Sequence, residues 1–350
     1  MNEAAPPREP DQIDGVPAPE ECRQVLGHGS VLEALDGLVA AAQMPSAILL
    51  HGPRGIGKAS VAFAVAQRLL TASGDESAER VAAQIASGAH PNVRVLRIAP
   101  KEKGAGFESA IRVERVRALI DSLHQTRGRS GYRVCVVDSI DDCNVSSTNA
   151  LLKILEEPPS ETVFMLISHR PGSLLPTIRS RCRAYALRGI ADTEVRAVLA
   201  TLAPDAEGET LERAVALADG RPRRALEAML LSQQQALEAL HGWLSSPSTQ
   251  PVGAHLAIAE ALSGRNAAAE AGFAREMIDN WLADEARRFA AAGIAGRFAL
   301  ASVNQLWEKA HALFADADSL NIDARQTLIA VLDAIREHDE RARVAATETQ

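Results

Sequence analysis

Gly52-Pro53-Arg54-Gly55-Ile56-Gly57-Lys58 has the spacing of a loop that wraps phosphate. Glycines let such a backbone curl until successive N–H groups point at phosphate oxygens. The lysine adds a charge, and the following helix presents the positive end of its dipole. Gly52, Gly57 and Lys58 hold the fixed positions of GxxxxGK, and Gly55 lies in the curl. The next position, where a Ser or Thr hydroxyl would bind Mg²⁺, holds Ala59; Ser60 comes one place late, rotated by about 100° on a helix. A second centre is Asp138, a carboxylate at the end of the β-branched run Tyr132–Val137, where it can hold the water shell of Mg²⁺. The residue after it should be a glutamate that orients water. It is Ser139, too weakly basic for that task. A third centre is the corner Thr177-Ile178-Arg179-Ser180-Arg181-Cys182, with two guanidinium groups. The spacing of a phosphate loop is present here, as a binding site or as a packing relic, and the hydrolytic groups are not.

Strands and helices must alternate to position these groups. Ala47–His51 reads as a strand feeding the glycine loop, and Val61–Thr71 as the helix behind it. Ala82–Gly88 continues as a helix, and Val93–Ile98 as a strand. Ile111–Leu123 places Val116, Leu119, Ile120 and Leu123 on one helical stripe. Asn149–Glu157 is helical and stops at Pro158-Pro159; Val163–Ser168 is a second buried strand with a polar tip. This order predicts an α/β fold with a parallel sheet. From Ile190 the strand signal vanishes: Asp192 caps a helix over Thr193–Ala203, and Glu209–Ala218 and Arg223–Leu231 follow around Gly220-Arg221-Pro222. Ser245–Pro251 reads as a linker to further helices near 255–262, 267–292, 299–314 and 322–337. Trp281 and Trp307 there read as core or interface aromatics.

The wording Asn149-Ala150-Leu151-Leu152-Lys153-Ile154-Leu155-Glu156-Glu157-Pro158-Pro159 followed by Ser180-Arg181-Cys182 resembles the clamp-loader branch of AAA+ proteins. The resemblance implies a AAA+ P-loop domain over 21–188, a small helical lid over 189–245 and an all-α collar over 252–338. A disordered leader over 1–20 and a fraying tail over 339–350 complete the division. It implies that Arg181 reaches in trans to the γ-phosphate of ATP on a neighbouring subunit. Val25–His28 resembles the segment that covers adenine, Ser168 the sensor position at a strand end, and Arg223, with Arg224 beside it, the lid's second sensor arginine. Arg112 and Arg115 stand where clamp loaders meet the DNA backbone. Together these imply a non-motor, stator-type subunit of a bacterial replicative clamp loader, with tau/gamma-type motor subunits, a delta-type subunit, the sliding clamp and primer–template DNA as partners. The alternative is an ATP-hydrolysing motor subunit. ATP in the loop is left open by the sequence; with Ala59 and Ser139, Mg²⁺ and autonomous turnover are not expected. The four-cysteine zinc module that many relatives carry before the His90-Pro91 pair is missing, so zinc is not expected either.

Composition narrows the classes. The 350-residue chain has a formal net charge of −8, which argues against a protein that coats nucleic acid alone. Basic residues nevertheless dominate between Arg94 and Arg133, which suggests one basic face. No apolar run approaches the ~18 residues of a membrane span, so no membrane partner is expected. Cys22, Cys135, Cys143 and Cys182 lack CxxC spacing, which favours reduced thiols and a cytoplasmic location.

Overall fold

Five short strands form the sheet, β1 (Ala47–His51), β2 (Val93–Arg97), β3 (Arg133–Asp138), β4 (Thr162–Ser168) and β5 (Arg183–Ala186). They make one parallel sheet in the order β2-β3-β4-β1-β5. The computed structural model describes residues 12–22, 24–74, 76–101, 106–125, 129–231, 234–264, 267–293, 296–320 and 322–348. It divides into two compact units, one of residues 1–211 with 218–226, the other of 212–217 with 227–350.

The central strands β1, β3 and β4 are buried on both faces, which is why they read as nearly unbroken apolar runs, while the edge strands β2 and β5 are partly exposed and carry arginines. Side chains alternate along each strand. Ile48 and Leu50, Val134 and Val136, and Val163, Met165 and Ile167 meet α1 (Gly29–Ala40), α2 (Lys58–Ser73) and α3 (Ala78–Ala86) through Leu35, Val61, Val65, Leu69, Val81 and Ile85. Leu49, Cys135, Val137, Phe164 and Leu166 meet α4 (Val113–His124) and α5 (Val145–Glu156) through Val116, Leu119, Leu123, Leu151 and Ile154. Asn144 caps α5 by accepting a hydrogen bond from the Ser147 N–H at 2.9 Å, and the helix ends just before Pro158-Pro159. Helix α4 starts two residues later than the apolar pattern suggested. Ile111 is extended and its N–H donates to the Asp142 carbonyl at 2.8 Å, tying it to the turn after β3.

The rest of the first unit holds the short helix α6 (Pro176–Arg179) and α7 (Asp192–Leu202). Asp192 is the first residue of α7, not its cap; Ala191 is the cap, and its N–H is taken by the Glu194 carboxylate at 3.0 Å. The division between units runs through α8 (Gly208–Ala218) and α9 (Pro222–Met229), so residues 189–245, expected as one lid, are shared between the units. In the second unit α10 (Gln234–Ser245), α11 (Ala254–Leu262), α12 (Ala268–Ala291), α13 (Arg297–Leu320) and α14 (Ala324–Glu348) enclose Leu240, Trp243, Leu262, Ile278, Val303 and Leu332. Trp281 and Trp307 pack partly buried against that core.

Three segments expected to be loose are held. Residues 12–20 of the leader are described, with Ala18 buried and Glu20 in an ion pair with Arg97 of β2 at 2.7 Å; residues 1–11 lie outside the described residues. The linker falls inside the second unit, where the Ser248 N–H and hydroxyl both donate to Asp339, at 3.0 and 2.6 Å. In the expected tail after His338, α14 continues to Glu348, with a Glu337–Arg341 pair one turn apart.

Candidate functional site

Parallel strands deliver their C-terminal ends to one edge of the sheet, and there β1, β3 and β4 bring together His51, Asp138 and Ser168. The glycine loop leaves β1 and curls back to start α2 at Lys58, with Gly57 in the left-handed region as its cap. Gly52 is obligatory, because a Cβ there would lie 2.2 Å from the Leu187 carbonyl oxygen, and Gly55 is nearly so, since its Cβ would meet the Cβ of Arg223 at 2.9 Å.

The loop satisfies itself. Lys58 is 3% exposed, and its Nζ donates to the carbonyls of Gly52 at 2.8 Å and Pro53 at 2.6 Å. Burial pushes its ammonium down to about 8, opposed by the nearby carboxylates of Asp138 and Asp141. The His28 Nε2 hydrogen donates to the Ile56 carbonyl at 2.7 Å, and the Arg223 N–H to the Gly55 carbonyl at 3.2 Å. Thus the segment at Val25–His28 and the arginine expected in the lid both lie against the loop. Arg224, its neighbour, is buried.

The polar tips of β3 and β4 are also engaged with each other. Ser139 is buried and donates its hydroxyl to Asp142 at 2.8 Å. The Ser168 hydroxyl donates to Asp141 at 3.1 Å, and the same carboxylate accepts the His169 N–H at 2.5 Å. Asp141 and Asp142 are the residues that spacing alone did not single out. Their only sequence signal is an acidic pair just after the strand. As a cradle for a nucleoside triphosphate and Mg²⁺ the edge fits in part. Glycine N–H groups and a lysine are present, but Ala59 offers no hydroxyl and the Ser139 hydroxyl is turned into its own turn.

Arg181 sits elsewhere, on the turn between α6 and β5. Its Nη1 donates to the Thr177 carbonyl at 3.0 Å and its Nη2 pairs with Glu156 Oε1, at the end of α5, at 2.5 Å. The side chains are 33% and 49% exposed.

Residues 27–191 match the family described as "DNA polymerase III, delta subunit". The DNA polymerase III subunit delta' of Pseudomonas aeruginosa is 42% identical over 190 residues, 53% of this chain and 56% of that protein. Over residues 27–191, just under half of the chain, the sequence is thus similar to DNA polymerase III subunits of the delta type. The delta' subunit of Yersinia pestis is 38% identical over 39% of each chain, and the gamma/tau subunit of Mycobacterium bovis is 31% identical over 56% of this chain and 33% of its own. The chain therefore spans between a third and little more than half the length of these relatives.

The basic stretch between Arg94 and Arg133 is engaged internally at three positions, while Arg94, Lys101, Arg112, Arg115 and Arg117 are exposed. Arg97 is paired with Glu20, Arg129 with the buried Glu76 at 2.9 Å, and the buried Arg133 donates to the Leu123 carbonyl at 2.5 Å. Arg112, at the start of α4, is exposed and paired with Glu108, and Arg115 is exposed on the same helix. No group of three His, Cys, Asp or Glu side chains able to hold a metal ion occurs among the described residues. Burial pushes the Cys135 and Cys143 thiols up to about 12 and Cys182 up to about 11, so all three stay protonated at neutral pH. Among the described residues no helix is long and apolar enough to cross a membrane.

Proposed function

We propose that this chain is a stator-type subunit of the DNA polymerase III clamp loader, one that leaves ATP turnover to motor subunits and supplies Arg181 to the site next door. The observation that carries this reading is the contrast at Ser139. The position where a hydrolytic subunit needs a base holds a hydroxyl tied to Asp142, while Arg181 stands exposed at a surface corner. A guanidinium delivered across a subunit boundary neutralises charge that develops on the transferring γ-phosphoryl group and raises rates by about 10³–10⁵. The partners are motor subunits of the tau/gamma type, a delta-type subunit, the sliding clamp and primed DNA.

Two measurements test it. The isolated chain should show no ATP turnover dependent on Lys58. In a complex reconstituted from this chain and its motor and delta-type partners, Arg181→Ala should leave assembly intact and depress clamp- and DNA-stimulated ATP hydrolysis at the adjoining site. A full rate with Arg181→Ala would refute the role in trans, and Lys58-dependent turnover by the chain alone would favour the motor alternative.

A further inference from the structure

Arg181 has a defined posture before any neighbour arrives. Its guanidinium carries five N–H donors in a planar fork. One goes from Nη1 to the Thr177 carbonyl a turn earlier, and one from Nη2 to Glu156 Oε1. Three donors remain for another acceptor. Thr177 belongs to α6, whose Ile178 is fully buried among α4, α5 and sheet residues, and Glu156 is the last residue of α5, whose Leu151, Ile154 and Leu155 are buried on the same side. Both contacts therefore transmit the rigidity of a packed core to a long, otherwise freely rotating side chain.

We infer that Glu156 is a positioning residue for Arg181: its carboxylate, with the Thr177 carbonyl, holds the guanidinium fork in one orientation so that the remaining donors are presented to the triphosphate of the adjoining subunit. This inference rests on the role in trans proposed above. A tethered fork loses less rotational freedom when it engages phosphate than a loose one, and preorganisation of this kind acts on the transition state more than on ground-state binding. The tether is a half-exposed ion pair, weak enough in water that it adds little to fold stability.

The test uses the reconstituted complex with Glu156→Gln, Glu156→Ala and Glu156→Asp, each alone and combined with Arg181→Ala. Glu156→Ala should lower kcat for stimulated ATP hydrolysis by about five- to tenfold with KM for ATP unchanged. Glu156→Gln, which keeps shape but loses charge, should fall between Ala and wild type, and Glu156→Asp should recover part of the loss. In the Arg181→Ala background none of these changes should matter. An unchanged kcat, an increase in kcat, or an equal loss in the Arg181→Ala background would each overturn the positioning role. If Arg181→Ala itself has no effect, it is the role in trans that fails.

Discussion

Two cations of this chain, Lys58 and Arg181, sit in sequences associated with the same chemistry and in opposite physical circumstances. Lys58 is enclosed, its donors turned onto carbonyls of its own loop, its charge opposed by desolvation. Arg181 is one-third exposed, held by one carbonyl and one surface carboxylate, with donors to spare. The difference teaches that a motif names a residue type, while burial and hydrogen-bond accounting set how many of its donors are already engaged: Lys58 is enclosed by its own loop and Arg181 is partly open.

Crossed substitutions break or sharpen that comparison. The largest effect is expected on rate: Arg181→Ala should lower adjoining-site hydrolysis about 10³-fold, roughly 4 kcal/mol of barrier, with the urea midpoint of the isolated chain unmoved. The next is on stability. Glu20→Ala removes the carboxylate from a guanidinium that is 11% exposed and should cost about 3 kcal/mol in chemical unfolding, with no change in the complex's hydrolysis rate. Lys58→Ala should cost about 2 kcal/mol, since two carbonyls lose donors while the relief of a desolvated charge offsets part of the loss. If Lys58→Ala instead abolishes turnover by the complex and leaves unfolding alone, the contrast with Arg181 is wrong.

The smallest effect is a pH dependence in the second unit. His338 is buried, its Nδ1 is 2.8 Å from the Ser302 hydroxyl, and Trp281 and Phe289 meet its ring edge-on at 6.3 and 6.0 Å. Burial lowers its basicity; Asp339 opposes the shift, while Arg288 and Arg341 reinforce it. Because the folded imidazole resists the proton that the unfolded one takes up, stability should fall as pH drops below about 6.5 and level off only below the depressed folded value. Urea unfolding between pH 5 and 7 should show a shallower acid limb in His338→Gln, by about 1 kcal/mol or less.

Strands β1 to β4, the glycine loop and the helix ending at Pro158-Pro159 were legible because their signals are local: apolar runs, glycine spacing and a proline stop act within a dozen residues, whereas the exposed edge strand β5, Arg183–Ala186, carries no such run. The enclosure of Lys58 was not, since GxxxxGK says nothing of where the carbonyls of Gly52 and Pro53 point. The proline-rich, acidic leader reads as unstructured by composition, yet its anchor, Arg97, lies 77 residues away. Likewise Ser248 reads as linker until Asp339, 91 residues on, supplies its acceptor. Within the basic run between Arg94 and Arg133, Arg97 and Arg129 are paired with Glu20 and Glu76, which stand outside it and which local sequence could not supply.

The clasp between Glu20 and Arg97 and the seat of Arg223 on Gly55 have a practical corollary. The family model covers residues 27–191, but a fragment cut at those limits would leave the Arg97 guanidinium without the Glu20 carboxylate and the phosphate loop without the Arg223 backbone that rests on it. A shortened protein meant for study by itself needs to begin ahead of Ala18 and continue beyond Leu226.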